Sequence, residues 1–337
     1  MLPSRLFFTA FLALSSVAHP IHHQQEPREL RIVGRDQSAT VTTARRGVQA
    51  PELNVLFEGN QKFRETISAE NPGILKQLSD DGQKPPFMFI GCSDSRVSEG
   101  TVFKAQPGTL FTERNIANQF HNTDSNAHSI LSYAVSVLGV KHVIVMGHYG
   151  CGGVAAAIAS PPESPVDAAF SEVENWIEPI RALFQASSRP EIVELREKIK
   201  GQTNVPEPEI QEPGFRALVE ENIKQSVNNI AKTSVLANHY HKLSLNGTTS
   251  EKRSEEEAPL VDVYVHGWVY DIETGEIRDL GISVGPPGKE IPATPFEAVA
   301  KAAEGVTGGN SETPAHALKE GIAGTLLLTS AEKKDHE

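Results

Sequence analysis

Two short apolar runs, each ending directly in a polar segment that carries a cysteine, constrain the fold of this chain more than any other feature. Phe87 to Gly91 (F-M-F-I-G) leads into Cys92-Ser93-Asp94-Ser95-Arg96. His142 to Gly147 (H-V-I-V-M-G) leads into His148-Tyr149-Gly150-Cys151-Gly152-Gly153. Short runs with little polar alternation suit strands buried on both faces, the habit of parallel sheets. Between and after them the apolar period becomes helical. Pro51 to Glu65 reads as an amphipathic helix with Leu53, Leu56, Phe57 and Phe63 as its apolar positions. Ser129 to Leu138, Gly152 to Ser160, Glu172 to Ala186 and Glu220 to His239 read as further helices. Val261 to Val269 is β-branched and aromatic, a late strand before a turn at Glu273-Thr274-Gly275. This alternation predicts an α/β fold: a mostly parallel sheet flanked by helices, in one domain with flexible ends.

The ends differ in composition from the middle. Arg5 followed by the apolar run Leu6 to Ala18 is too short to cross a membrane and fits a secretory signal over residues 1–18. The arginines at 28, 31, 35, 45 and 46 also suit a mitochondrial transit segment, but the leading stretch is apolar rather than amphipathic, so secretion is preferred. The glycosylation acceptor Asn246-Gly247-Thr248 agrees with that choice. Residues 19–50 read as a flexible leader, 51–285 as the folded domain, and 286–337 as a low-complexity tail with a helical fragment around Pro314 to Leu328. Ser187 to Gly214, with four prolines, and the charged run Ser244 to Ala258 read as surface insertions. A formal charge of −12 argues against nucleic acid or an anionic membrane as the main partner, and leaves a small anionic substrate open.

The chain has two cysteines, which leaves one disulfide, two free thiols or two metal ligands. Their position favours ligands. In a parallel sheet, groups at the carboxyl ends of neighbouring strands converge on one crevice, bringing Cys92, Asp94, His148 and Cys151 together. Thiolate, imidazole and carboxylate are a donor set that suits zinc. Arg96 follows Asp94 by two residues. A guanidinium there either pairs with the carboxylate and leaves a metal position open, or lets Asp94 fill it and close the site. His121, His128, His142 and His266 read as surface or core histidines rather than ligands, and His19, His22 and His23 as incidental to the leader.

C-S-D-S-R (Cys92–Arg96) and G-H-Y-G-C-G-G (Gly147–Gly153) resemble the two signature motifs of the β-class carbonic anhydrases. E-G-N-Q-K-F (Glu58–Phe63), Q-P-G (Gln106–Gly108), R-N-I-A-N (Arg114–Asn118) and H-G-W-V-Y-D (His266–Asp271) resemble that family in the same order, over about residues 50–285. The resemblance implies one zinc per chain on Cys92, His148 and Cys151, with Asp94 and Arg96 as a dyad in which the aspartate pairs with arginine or closes the metal. It implies reversible hydration of carbon dioxide to bicarbonate and a proton, through zinc-acidified water oriented by Asp94. It places Gln83, Phe111, Ile116 and Tyr133 along the substrate cleft, often across a dimer interface, so a homodimer or larger homo-oligomer is expected. Ile116 stands where valine is common. Hydrolysis of carbonyl sulfide or carbon disulfide, a closed structural zinc site, and a Cys92–Cys151 disulfide are the competing expectations.

Overall fold

A computed structural model describes residues 50–163, 165–245 and 260–299. The signal-like run, the leader to residue 49, the Asn246 acceptor and the tail from residue 300 lie outside the described residues. The chain divides after Arg64 into two units. The described part of the first is most of helix α1 (Pro51–Glu70), longer than the sequence period suggests, and its Leu53, Leu56, Phe57 and Phe63 are exposed.

The second unit is a five-stranded sheet with helices. Its elements in chain order are α2 (Ile74–Asp81), β1 (Phe87–Cys92), α3 (Glu99–Val102), β2 (Leu110–Asn115), α4 (Ser125–Tyr133), β3 (His142–His148), α5 (Gly152–Ile158), α6 (Ala168–Ala186), α7 (Pro190–Ile199), α8 (Pro213–Ala231), α9 (Ser234–Leu245), β4 (Tyr264–Tyr270) and β5 (Ile277–Val284). The sheet order is β2-β1-β3-β4-β5, parallel except for the β4–β5 hairpin. From β1 the chain steps to β2 on one side, then crosses back to β3 on the other. The switch point therefore lies between β1 and β3, where open α/β sheets place their ligand crevice.

Side-chain alternation splits the core in two. Met88, Ile90, Val143, Val145, Val265 and Val269 join the large cluster with the helices, while Phe89, Ile144, Met146 and Trp268 form a smaller one with Val97. Two strands escape the apolar-run test. β2 carries Thr112, Glu113 and Arg114, and β5 is an antiparallel edge strand with polar positions.

Three expectations need correction. The proline-rich stretch 187–214 holds α7, which buries Ile192 and Leu195. Pro190 and Pro213 head α7 and α8, where the missing N–H costs nothing. The single helix expected over Glu220 to His239 is two, because the Thr233 hydroxyl accepts from Leu236 N and starts α9. The tail expected from residue 286 is packed as far as Val299. Phe296 stacks edge-on against Trp268 (4.8 Å between ring centres), Thr294 donates to Asp279 (2.6 Å), and Val299 N bonds Asp279 O (2.9 Å).

His142 and His266 fill core roles. Their rings bond Nδ1 to Nε2 at 3.0 Å, and His266 Nδ1 meets Ser283 Oγ at 2.9 Å. Burial first, and the neighbouring His142 second, lower His266 to about 4. Unfolded histidine takes its proton near 6.5, so between those values the unfolded chain binds more protons and stability falls as pH falls. The loss is on the order of 3 kcal/mol. Urea midpoints measured from pH 7 to pH 4 should fall less steeply in His266→Gln than in the wild type. Equal slopes would remove His266 from the account.

Candidate metal centre

Cys92 ends β1 and His148 ends β3, so the two strands flanking the switch point deliver one candidate ligand each. Cys151 follows across a tight turn in which Gly150 has φ 71, and stands at the N-cap of α5. A side chain at Gly150 would be strained by that φ and would press Ile272 at 3.0 Å. The sulfurs of Cys92 and Cys151 are 3.8 Å apart as free thiols, so the disulfide reading does not describe this structure. The donor atoms of Cys92, His148 and Cys151 all lie within 4.8 Å of one another, and all three residues are buried.

The chemistry of this donor set fits a soft dication. His148 Nδ1 bonds the carbonyl of Tyr149 at 3.0 Å, which requires the proton on Nδ1 and leaves the lone pair on Nε2. That Nε2 is buried and has no hydrogen-bond partner. The hydrogen bond from Cys151 lowers Cys92 to about 4, whereas the same bond and burial push Cys151 up. The pair thus shares one negative charge readily. A second thiolate at 3.8 Å needs a cation to balance it.

Asp94 does not join the three converging side chains of Cys92, His148 and Cys151. Its carboxylate accepts from Arg96 Nε (3.0 Å) and Nη2 (2.7 Å) and from the Arg96 backbone N–H (2.9 Å). These bonds hold Asp94 down at about 2, a carboxylate at any working pH. Arg96 Nη2 also donates to Gly150 O at 3.0 Å, tying the two ligand loops together. Asp94 Oδ2 is 3.7 Å from His148 Nε2, beside the ligands but turned away.

Of the expected cleft residues, Phe111 and Tyr133 pack together with ring centres 5.8 Å apart. Ile116 is exposed and sits against Gly153, whose missing Cβ would fall 2.6 Å from its Cγ2. Gln83 is exposed on the loop before β1. Several supporting residues were not singled out from sequence. Arg114 donates to the carbonyls of Cys92 (3.0 Å), Asp94 (2.8 Å) and Val97 (2.9 Å), fixing the first ligand loop. Trp176 Nε1 donates to Ile116 O at 2.8 Å. The Tyr149 hydroxyl donates to buried Glu220 (2.7 Å), which pairs with Arg189 (2.6 Å). The R-N-I-A-N segment carried Arg114 and the G-H-Y-G-C-G-G segment carried Tyr149, while nothing in the sequence pointed to Trp176, Arg189 or Glu220. A cavity of about 350 Å³ is lined by Tyr149, Arg189 and Arg216 among others, and not by Cys92, His148 or Cys151.

The family model described as carbonic anhydrase matches residues 87–277. A carbonic anhydrase of Emericella nidulans is 32% identical over 229 residues, 67% of this chain and 82% of that one. Among solved structures, the β-carbonic anhydrase of Coccomyxa in complex with acetazolamide is similar at TM-score 0.54 and 25% identity. That match covers 70% of this chain and 89% of the other. The β-carbonic anhydrase CafA of Aspergillus fumigatus is similar at TM-score 0.51 and 29% identity, covering 68% and 91%.

Proposed function

We propose, from the premise that the chain belongs to the β-carbonic anhydrase family, that it is a zinc enzyme catalysing the reversible hydration of carbon dioxide to bicarbonate and a proton. The observation that carries this reading is the buried Cys92–His148–Cys151 cluster with its unpaired Nε2, set at the switch point of the sheet. Cys92, His148 and Cys151 would hold one zinc. When bound, zinc supplies the Lewis acidity that makes water a nucleophile near neutral pH.

The protein's own groups do the rest. Arg96 keeps the Asp94 carboxylate ionised and turned from the ligands. Asp94 Oδ2 is then placed to accept a hydrogen bond from the attacking oxygen and orient it. Phe111, Ile116 and Tyr133 offer the apolar wall that a nonpolar gas requires, and the Gln83 amide would bond the bicarbonate product. In a homo-oligomer these groups come from more than one copy. The exposed Ile116, Tyr133, Phe170 and Val173 supply apolar surface for such an interface.

Stopped-flow hydration by the full chain, with zinc measured on the same sample, tests the proposal. Hydration at about one zinc per chain is expected. Zinc without hydration, but with hydrolysis of carbonyl sulfide or carbon disulfide, would move the chain to a different reaction. Zinc with neither activity would make the site structural.

A further inference from the structure

Helix α8 carries a buried polar edge that reaches the turn after β2. In that turn Ala117 (φ 64) and Asn118 (φ 47) have left-handed backbone, which residues with a Cβ adopt only at a cost. Such a conformation persists only when its surroundings over-determine it. The turn is bracketed by Asn115, which bonds Gln119 O (2.7 Å) and Gln119 N (2.8 Å), and by Trp176 on Ile116 O, and its own carbonyls are met by three side chains of α8 spaced to share one helix face. Asn222 Nδ2 donates to Ala117 O at 2.8 Å. The Ser226 hydroxyl donates to Asn118 O (3.1 Å) and accepts from Phe120 N (3.2 Å). Asn229 Nδ2 donates to Phe120 O at 2.8 Å. Asn222 and Ser226 are buried, as are Leu218, Val219, Ile223 and Val227 of the same helix, so these polar side chains need partners and find them in the turn.

What the held turn delivers is one N–H group. Ala117 N donates to Cys92 Sγ at 3.4 Å. A hydrogen bond to a thiolate draws charge off the sulfur, and outer partners of this kind tune a ligand's donation to its metal. We propose that Asn222 is a positioning residue: by gripping the Ala117 carbonyl it holds the left-handed turn that aims the Ala117 N–H at the Cys92 sulfur. The proposal rests on the reading of Cys92 as a metal ligand. Asn222 touches neither substrate nor metal, and acts through Ala117.

Two measurements test it. In full-length wild-type protein loaded with ¹¹³Cd, scalar coupling should connect the cadmium to the Ala117 amide proton through the N–H···S bond. In the cobalt-substituted protein, Asn222→Ala should move the sulfur-to-cobalt charge-transfer band to lower energy and weaken cobalt binding by about 10-fold. Asn229→Ala removes a similar hydrogen bond farther from the sulfur and should leave the band in place, which a merely structural role for the helix edge would not distinguish. Cadmium bound without coupling to Ala117 overturns the proposal, even if Asn222→Ala does not fold. An unshifted band in a folded Asn222→Ala protein overturns it too. Failure of the wild type to bind cadmium at all would overturn the metal reading itself, and this proposal with it.

Discussion

Replacing Cys151 by serine is expected to empty the metal centre and abolish carbon dioxide hydration while leaving the sheet intact. Cys151 is 1% exposed and its sulfur lies 3.8 Å from that of Cys92. Serine keeps the approximate size but offers a neutral hydroxyl in place of a thiolate, so the site loses both a bond and a charge. Zinc affinity should fall by more than the roughly 10–100-fold that loss of an outer-shell partner costs. The loop itself is held by backbone bonds that the substitution leaves alone, Tyr149 N to Tyr270 O (3.0 Å) and Ala155 N to Cys151 O (2.9 Å). Zinc analysis, thiol titration and thermal melting on one preparation give the answer. A full complement of zinc with wild-type hydration would remove Cys151 from the ligand set. A collapsed fold would mean that the cysteine's main work is structural.

The candidate metal centre was legible because its chemistry and its topology coincide. Cys92 and His148 stand where apolar runs stop, and a reader who takes those runs as parallel strands has placed the ligands at one end of the sheet. The switch point between β1 and β3 needed β2, which was not legible. Thr112, Glu113 and Arg114 interrupt any apolar run, and Arg114 does so because its guanidinium is needed under the Cys92 loop. Pro190 and Pro213 misled for a different reason. Proline breaks a helix from inside but starts one from its first turn, and local composition does not say which. The start of the tail, residues 286–299, was misread because Phe296 docks a stretch otherwise rich in proline. Nothing local marks Asn222 or Glu220 either. Each is a polar residue on a long helix, and only tertiary structure shows that its partner is a backbone carbonyl or a tyrosine near a ligand.

Removing the Arg96 guanidinium should retain zinc and lose catalysis, the opposite signature to Cys151→Ser. Arg96 is 52% exposed along its side chain, and an exposed ion pair ordinarily contributes little to stability. Its geometry argues for a different role. The guanidinium binds both oxygens of Asp94, at 3.0 and 2.7 Å, and also Gly150 O at 3.0 Å. In Arg96→Ala the carboxylate keeps only its bond from the residue 96 backbone N–H, and its Oδ2 stands 3.7 Å from His148 Nε2 with no cation facing it. A bound zinc would be the nearest positive charge available. Asp94 closing onto it would complete four protein ligands, the arrangement of a structural site rather than a catalytic one. Hydration should then drop by ~100-fold or more. Asp94→Asn should lose a comparable factor for another reason, since a neutral amide is a weak acceptor for the attacking oxygen and a weak ligand for the metal. Small-anion titration of the cobalt-substituted proteins separates the two. The asparagine variant should still admit the anion and change its spectrum, whereas Arg96→Ala should be indifferent to it. A wild-type rate in Arg96→Ala would return Arg96 to the ordinary surface ion pair that its exposure suggests, and leave Asp94 held off the metal by its backbone bond alone.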